Sequence, residues 1–225
     1  MTRKKILIVG YGNIGKCFGQ NLSDEFRISI VSPNSRPDNP KFEYFSSLSQ
    51  INGMFDYIIF CVKPQVILTV LDELFNLNNK IYTTDTVFIS TLAGTKTELF
   101  KQKLGQNIKI ARIMPNLAIK IKAGLIAVFY HEELPFLNNF GKVIYLKDEG
   151  EMHAFTAVCG SGIGFVFNLM EIFENIAKSH NLPDAKNLVY KHSSEHARFR
   201  MPCRTQRSNP SKPALQAKVA RRKPD

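Results

Sequence analysis

Three glycines near the start of the chain have the spacing that binds a diphosphate. Gly10, Gly12 and Gly15 form a Gly-x-Gly-x-x-Gly pattern between a short apolar run and a segment with helical spacing. In this context the first glycine permits a tight turn, the second lets the backbone approach a pyrophosphate, and the third lets helix and strand pack closely. The N–H groups at the start of the helix, at Asn13 and Ile14, would hold the anion with help from the helix dipole. The pattern predicts a nicotinamide dinucleotide site.

Polar residues after the second predicted strand favour one of the two nicotinamide dinucleotides. An NAD-binding unit usually has a carboxylate there for the ribose 2′-hydroxyl. This chain has Ser32, Asn34, Ser35 and Arg36 instead, and its first carboxylate in that stretch is Asp38. Ser, Asn and Arg can donate hydrogen bonds to a 2′-phosphate, which a carboxylate would repel, so we expect NADPH, with NADH as the alternative. An ordinary Pro-Asn-Ser turn with a solvated arginine is the other interpretation.

Alternating strand and helix patterns predict the scaffold that positions these residues. Strand patterns fall at residues 5–9, 26–31, 57–62, 86–90, 108–114, 124–130 and 143–146, and helix patterns at 13–22, from 64 onward, and at 97–104. Such alternation is typical of an α/β fold with a parallel, doubly wound, Rossmann-like sheet. We assign residues 1–150 to this NADP-binding domain.

The remainder of the chain divides into a helical and a basic part. From about Met152 the pattern is helical only, and residues 164–177 are apolar nearly all round, so this helix should need a second helix or subunit to cover it. Residues 151–190 are therefore assigned to a helical domain. Residues 191–225 contain four prolines and few large apolar side chains, so we expect them to form a disordered basic tail.

Most of the net charge lies in this tail. From residue 191 onward ten Lys/Arg oppose two Asp/Glu, or +8, and the remaining 20 against 17 give residues 1–190 only +3 of the total +11. At most we expect non-specific, salt-sensitive contact with nucleic acid or acidic lipid. The tail also contains His192, Glu195 and His196 in a zinc-protease-like spacing, but without helical periodicity, so no metal is expected.

Cysteine usage and hydropathy indicate a cytoplasmic protein. The four cysteines are far apart in the sequence and form no Cys-x-x-Cys pair, as expected in a reducing compartment. The apolar run after the basic N-terminus is too short for a signal peptide. No segment has the length expected of a membrane span.

Further motifs indicate a family. Val-Lys-Pro-Gln at 62–65, Ala-Gly at 93–94 and Arg-Ile-Met-Pro-Asn at 112–116 each follow or end a predicted strand, at the edge where open α/β sheets bind ligands. With Ala-Val-Cys-Gly-Ser-Gly at 157–162 before the apolar helix, their order resembles pyrroline-5-carboxylate reductase over residues 4–190.

The resemblance implies hydride transfer from NAD(P)H to the C=N carbon of 1-pyrroline-5-carboxylate, which gives proline. The residues that it places along the nicotinamide ribose and ring are Lys63, Pro64, Ala93 and Gly94, and Val62 is a further cofactor-binding residue. It assigns Asn116, with Lys63, to the reaction, and Ser161, Gly162 and Glu171 to the substrate end. It also implies a homo-oligomer, built through an all-α dimerisation domain that follows the Rossmann-like sheet.

Two departures from the family pattern keep other interpretations open. Ile163 and Gly164 stand where the family has Pro-Ala at the start of its long helix, and the family's further helices are not legible after Tyr190. We therefore expect the helical domain to be truncated, with a foreign tail in place of its missing helices. The apolar face of the long helix should then be incompletely covered. The alternatives are an impaired remnant that still binds nucleotide, or an NADP-dependent dehydrogenase of the β-hydroxyacid type.

Overall fold

A computed structural model describes residues 3–33, 38–77 and 80–196, with side chains up to Lys191. The strands are β1 Lys5–Val9, β2 Arg27–Val31, β3 Glu43–Phe45, β4 Tyr57–Phe60, β5 Val87–Ser90, β6 Lys109–Pro115, β7 Gly124–Phe129 and β8 Gly141–Tyr145. The α-helices are α1 Asn13–Leu22, α2 Ile67–Asn76, α3 Thr97–Leu104, α4 Glu151–Phe155, α5 Gly162–Ser179 and α6 Ala185–His196.

The strands form one sheet in the order β3-β2-β1-β4-β5-β6-β7-β8. All neighbours from β3 to β6 pair in parallel, so the predicted α/β, Rossmann-like fold is confirmed. The expectation of a wholly parallel sheet is wrong at β7, which runs antiparallel to β6. Only residues 116–123 connect these two strands, fewer than a parallel crossover requires.

Apolar layers cover both faces of the sheet, which is why its central strands read as continuous hydrophobic runs. On one face Ile8 of β1 belongs to the same buried cluster as Phe18 of α1. On the other face Leu7 of β1 shares a cluster with Leu71 of α2 and Phe100 of α3. Because successive strand residues face opposite sides, β1 contributes to both layers.

The predicted element bounds agree best where the periodicity is strong. Helices α1 and α3 begin and end where the sequence pattern predicts. The helix predicted from Pro64 begins as a 3-10 turn, Pro64–Val66, before α2. Strand β3 was not predicted, because it has only three residues and follows a segment rich in proline and asparagine.

The helical part differs from the sequence interpretation at two places. A π-helical turn, Thr156–Ser161, joins α4 to α5, so its Gly-Ser-Gly motif does not break the helix. Helix α6 continues to His196, so the prediction that no helix surrounds the zinc-like spacing is wrong, and residues 191–196 of the predicted tail are helical. Neither proline nor glycine occurs between Pro183 and Pro202 to stop the helix earlier. The rest of the predicted tail, residues 197–225, lies outside the described residues.

The continuous helix Glu151–Ser179 is long and apolar enough to cross a membrane by length and composition alone, since an 18-residue stretch of it has a mean hydropathy of 1.4. By that measure the expectation that no segment reaches the length of a span is wrong, because the π-helical turn joins two helical segments into 29 residues. One such helix is weak evidence for a membrane, since a helix covered by protein has the same composition.

The chain divides into two compact units, Met1–Asn168 and Leu169–Asp225. The first contains the whole sheet, α1 to α4, the π-helical turn and the start of α5, up to Asn168. The second contains the rest of α5, and α6. The predicted domain limits at residues 150 and 190 stay a prediction.

Candidate cofactor-binding and active site

The parallel strands bring the predicted site residues to one edge of the sheet. Gly10 follows β1, Ser32 follows β2, Lys63 comes shortly after β4, Gly94 shortly after β5, and Asn116 directly follows β6. Because these strands are parallel, their carboxyl ends share an edge. The chain order reverses between β1 and β4, and such a switch point is where open α/β sheets bind ligands.

The three glycines of the N-terminal loop differ in whether the fold requires glycine at their position. Gly10 has φ +95°, and a Cβ there would lie 2.7 Å from the carbonyl oxygen of Cys61. A Cβ on Gly15 would overlap the carbonyl oxygen of Gly10, so these two positions require glycine for the fold. Gly12 has extended backbone (φ −79°) and no atom within 4 Å of an added Cβ. The protein itself therefore does not require glycine at position 12.

The space beside Gly12 fits a diphosphate. Gly12 is the N-cap residue of α1, whose first turn contains no acidic side chain and no side-chain cap, so its N–H groups are available to an anion. Asn13 is exposed on this turn and Ile14 is half-buried beside it. The N–H of Gly10 donates to the Val31 carbonyl at 2.8 Å, which ties the loop to the end of β2.

An apolar cavity of about 360 Å³ lies beside the glycine loop, on the α2 side of the sheet. Its lining includes Val9, Val31, Leu48, Val62 and Val70. Its position at the ends of β1 and β2 and its apolar walls fit an adenine ring. Of these residues only Val62 was predicted for the site. The apolar residues at 66 and 70 were the available signal, but in the sequence they indicated only a helix.

The segment predicted to bind the 2′-phosphate is described only in part. Ser32 is half-buried, and its N–H donates to the Phe45 carbonyl at 3.0 Å. The predicted contacts Asn34, Ser35 and Arg36 lie outside the described residues. They stay a prediction.

The carboxylate that follows this segment is held by three side chains. Asp38 accepts hydrogen bonds from the hydroxyls of Tyr44 at 2.7 Å and Tyr11 at 2.9 Å, and pairs with Lys16 at 3.2 Å. Burial alone would raise the pKa of Asp38, but the hydrogen bonds from Tyr44, Tyr11 and Lys16 outweigh it and lower that pKa. Lys16 thus compensates the negative charge of the carboxylate that follows this segment in the chain.

The residues predicted along the nicotinamide side are exposed at the same edge. Lys63, Pro64, Ala93 and Gly94 are all exposed, and Gly94 has φ +72° with no atom within 4 Å of an added Cβ. The hydroxyl of Thr91 donates to the Phe60 carbonyl at 2.9 Å, which joins the ends of β4 and β5 below these loops.

Asn116 is fixed at the end of β6 by the neighbouring strand. Its side-chain oxygen accepts from the Leu125 N–H at 3.1 Å, and its own N–H donates to the Leu125 carbonyl at 3.1 Å. The amide oxygen is thereby used, and the NH₂ group carries the donors that a ligand could meet.

The predicted substrate residues belong to the helical segment. Ser161 ends the π-helical turn, which lies against β6, and Gly162 begins α5. Glu171 lies in the unit Leu169–Asp225 and is exposed there. The structure thus places Ser161 and Gly162 on an element next to the strand that carries Asn116.

Cys61, next to the glycine loop, is not suited to nucleophilic chemistry. Burial raises the pKa of its thiol to about 12, against a smaller lowering by a hydrogen bond with Thr91. A thiol with this pKa stays protonated near neutral pH. We interpret Cys61 as a packing residue.

Comparisons with known proteins identify the family. A pyrroline-5-carboxylate reductase of Staphylococcus epidermidis is 30% identical over 190 residues, covering 74% of this chain and 67% of that relative. The chain belongs to the pyrroline-5-carboxylate reductase family. The member from Aquifex aeolicus is 27% identical over 184 residues, or 74% of this chain and 66% of the relative. The chain therefore spans about two thirds of the length of these two relatives.

Structural similarity supports the same fold. The Plasmodium falciparum pyrroline carboxylate reductase, crystallised with NADP bound, superposes with a TM-score of 0.74 at 19% sequence identity, covering 88% of this chain and 79% of that one. No family model matches the chain. Membership of the reductase family therefore rests on the pairwise similarity and on the order of the motifs along the sheet edge.

Proposed function

We propose that this chain binds NADPH at the carboxyl edge of the sheet and reduces 1-pyrroline-5-carboxylate to L-proline. The observation that carries the proposal is Gly12, which faces open space at the start of α1, beside an apolar cavity large enough for an adenine. Neither the fold nor the packing requires glycine there, whereas close approach of a diphosphate does. Belonging to the reductase family supports the substrate and the reaction.

The chain's own groups would hold the two reactants in contact. The first turn of α1 would bind the diphosphate, and the cavity lined by Val9 and Leu48 would hold the adenine. Bound NADPH supplies a hydride, and a protonated cyclic imine accepts it without a covalent nucleophile. Asn116, with its amide oxygen held by Leu125, would present its NH₂ group to the ring or the imine. Orientation and exclusion of water then account for the catalysis.

The remaining assignments of the site are also proposals. Ser32, with Asn34 to Arg36, would bind the 2′-phosphate, and Lys63 would lie near the nicotinamide ribose. Ser161 and Gly162, on the segment that lies against β6, would form part of the substrate end. For Glu171 the support is the family resemblance alone.

We propose a second copy of the chain as the partner that covers the apolar helix α5. Phe165 is 76% exposed, Phe167 56% and Phe173 53%, which is unusual for a helix of a soluble enzyme. Sedimentation at increasing concentration should show self-association. A monomer over the whole range would contradict this assignment.

The proposed location is the cytoplasm, with no membrane and no specific nucleic acid as partners.

The experiment that tests the function is oxidation of NADPH in the presence of pyrroline-5-carboxylate. We expect turnover that depends on both reactants, and proline as the product. NADPH binding without turnover would favour the impaired remnant. Turnover only with hydroxy- or keto-acid substrates would favour the dehydrogenase of the β-hydroxyacid type.

A further inference from the structure

One half-buried carboxylate connects three parts of the candidate site. Glu149 lies in the turn before α4. It accepts a hydrogen bond from the N–H of Thr97 at 2.8 Å, from the hydroxyl of Thr97 at 2.9 Å and from the Arg112 guanidinium at 3.0 Å. The side chain of Glu149 is 19% exposed and that of Arg112 only 1%. Neither Glu149 nor Thr97 was singled out from the sequence.

Each partner of Glu149 lies close in the chain to a residue of the proposed site. Thr97 is the first residue of α3 and follows the loop of Ala93 and Gly94. Arg112 is on β6, four residues before Asn116. Two residues after Glu149 begins the helix that continues into the π-helical turn. A single carboxylate therefore joins the loop after β5, the strand that ends at Asn116 and the start of the helical segment.

The chemistry of these contacts favours a rigid connection between the three segments, which we call the Glu149 joint. Lys96, the N-cap residue of α3, makes no side-chain cap, so the Glu149 carboxylate acts as the cap from 52 residues away in sequence. An anion at a helix N-terminus is also favoured by the helix dipole. Arg112 is buried, and its Nε atom has no hydrogen-bond partner among the described residues. The positive charge of the Arg112 guanidinium is therefore compensated by the Glu149 carboxylate. Buried charge pairs with several hydrogen bonds hold geometry closely.

We propose that Glu149 is a positioning residue for hydride transfer. Through Thr97 and Arg112 it holds the Ala93–Gly94 loop and Asn116 in the fixed arrangement that brings the nicotinamide against the imine. The proposal rests on the proposed function, because the positioned groups belong to that site. The residues proposed for the diphosphate lie in the loop after β1 and in the first turn of α1, and the adenine cavity is lined by residues such as Val9 of β1, Val31 of β2 and Val70 of α2. The hydrogen bonds that Glu149 accepts from Thr97 and Arg112 do not involve them.

Isosteric variants test the joint without removing the carboxylate's volume. Glu149→Gln keeps the shape but removes the charge, and Thr97→Val removes only the hydroxyl, which Thr97→Ser restores. Asp72→Asn is the matched control, since the Lys103–Asp72 pair also involves α3 but is exposed. Each protein is assayed for kcat, KM and the dissociation constant of NADPH. Amide hydrogen exchange of the peptide 93–100 is measured without cofactor.

We expect Glu149→Gln and Thr97→Val to exchange faster at 93–100 and to lose roughly tenfold or more in kcat, because small misplacements of positioned groups are costly in rate. Affinity for NADPH should stay at the wild-type value, and Thr97→Ser and Asp72→Asn should behave as wild type. Unchanged exchange and kcat in Glu149→Gln would overturn the proposal, and so would kcat and NADPH affinity falling together.

The failure of the function and that of the joint remain distinguishable. If the wild-type chain does not reduce pyrroline-5-carboxylate, the proposed function fails. Amide hydrogen exchange of the cofactor-free protein then tests separately whether Glu149 holds residues 93–100 in place. Faster exchange at 93–100 in Glu149→Gln, but not in Asp72→Asn, would support it, and equal exchange in all proteins would overturn it. If Glu149→Gln does not fold, Thr97→Val compared with Thr97→Ser decides in the same way.

Discussion

The side-chain oxygen of Asn116 accepts a hydrogen bond from the backbone N–H of Leu125 at 3.1 Å. Leu125 belongs to β7, the strand that departs from the parallel order of the sheet. Because β7 runs antiparallel to β6, its first residues lie at the edge where β6 ends and can hold Asn116. The antiparallel connection, which the sequence pattern did not predict, thus contributes directly to the geometry of the candidate site.

Substituting Asn116 separates its fixed oxygen from its proposed donor group. Asn116→Asp keeps an acceptor for Leu125 but replaces the NH₂ donor with an oxygen. We expect kcat to fall by about tenfold or more, a barrier increase of ~1.4 kcal/mol or more, while the melting temperature stays near that of the wild type. Asn116→Ala should lower both, since the Leu125 N–H loses its partner. Wild-type kcat in Asn116→Asp would show that the amide donor is not used.

Two glycines of the same loop should respond oppositely to an added side chain. Gly12→Val should keep the melting temperature and lose NADPH affinity, because its Cβ would have no protein atom within 4 Å and its side chain would fill the space in front of α1. Gly15→Ala should lower stability by about 1–3 kcal/mol, since its Cβ would overlap the Gly10 carbonyl. Thermal melts and NADPH titrations distinguish the two. Undiminished affinity in Gly12→Val would argue against a diphosphate at this position.

Filling the apolar cavity should weaken both dinucleotides equally. Val70→Phe enlarges a side chain that lines the cavity, and both NADPH and NADH carry the adenine that would be displaced. Leu68→Phe on the same helix is the control, since Leu68 is exposed and does not line the cavity. Arg36→Ala should instead weaken NADPH alone. The measurement is a titration of each variant with both dinucleotides, and a selective loss of NADPH in Val70→Phe would contradict the adenine assignment.

The pKa of Asp38 predicts a pH dependence of stability. Its folded-state pKa lies below the ordinary value, because hydrogen bonds from Tyr44, Tyr11 and Lys16 outweigh burial. The stabilisation is therefore present above the unfolded-state pKa and is lost as the pH falls through the folded-state value. Asp38→Asn should lower the melting temperature at pH near 7, with a difference from wild type that disappears in strong acid. Asp24→Asn, in the exposed pair with Lys41, should change little at any pH.

The parts of the fold that the sequence predicted are those with a strong local signal. The glycine spacing, the periodic helices α1 and α3, and the continuous apolar strands each show as a pattern of residue types within a short stretch of sequence. The Glu149–Thr97–Arg112 contacts could not be found this way, because they join residues 37 and 52 positions apart. The adenine cavity was missed for a related reason, since Val70 has the spacing of an ordinary core residue. The π-helical turn was missed because its glycines are more often found where a helix begins or ends.

The most direct test of the account is a titration of the purified chain with NADPH and with NADH, monitored by isothermal titration calorimetry. The account predicts saturable binding of one dinucleotide per chain, because a first turn of α1 free of acidic side chains and of a side-chain cap is offered to a diphosphate. It predicts tighter binding of NADPH, because Ser32 and Asn34 to Arg36 can donate hydrogen bonds to the 2′-phosphate. Heat changes that do not saturate with either dinucleotide would contradict the account at its centre.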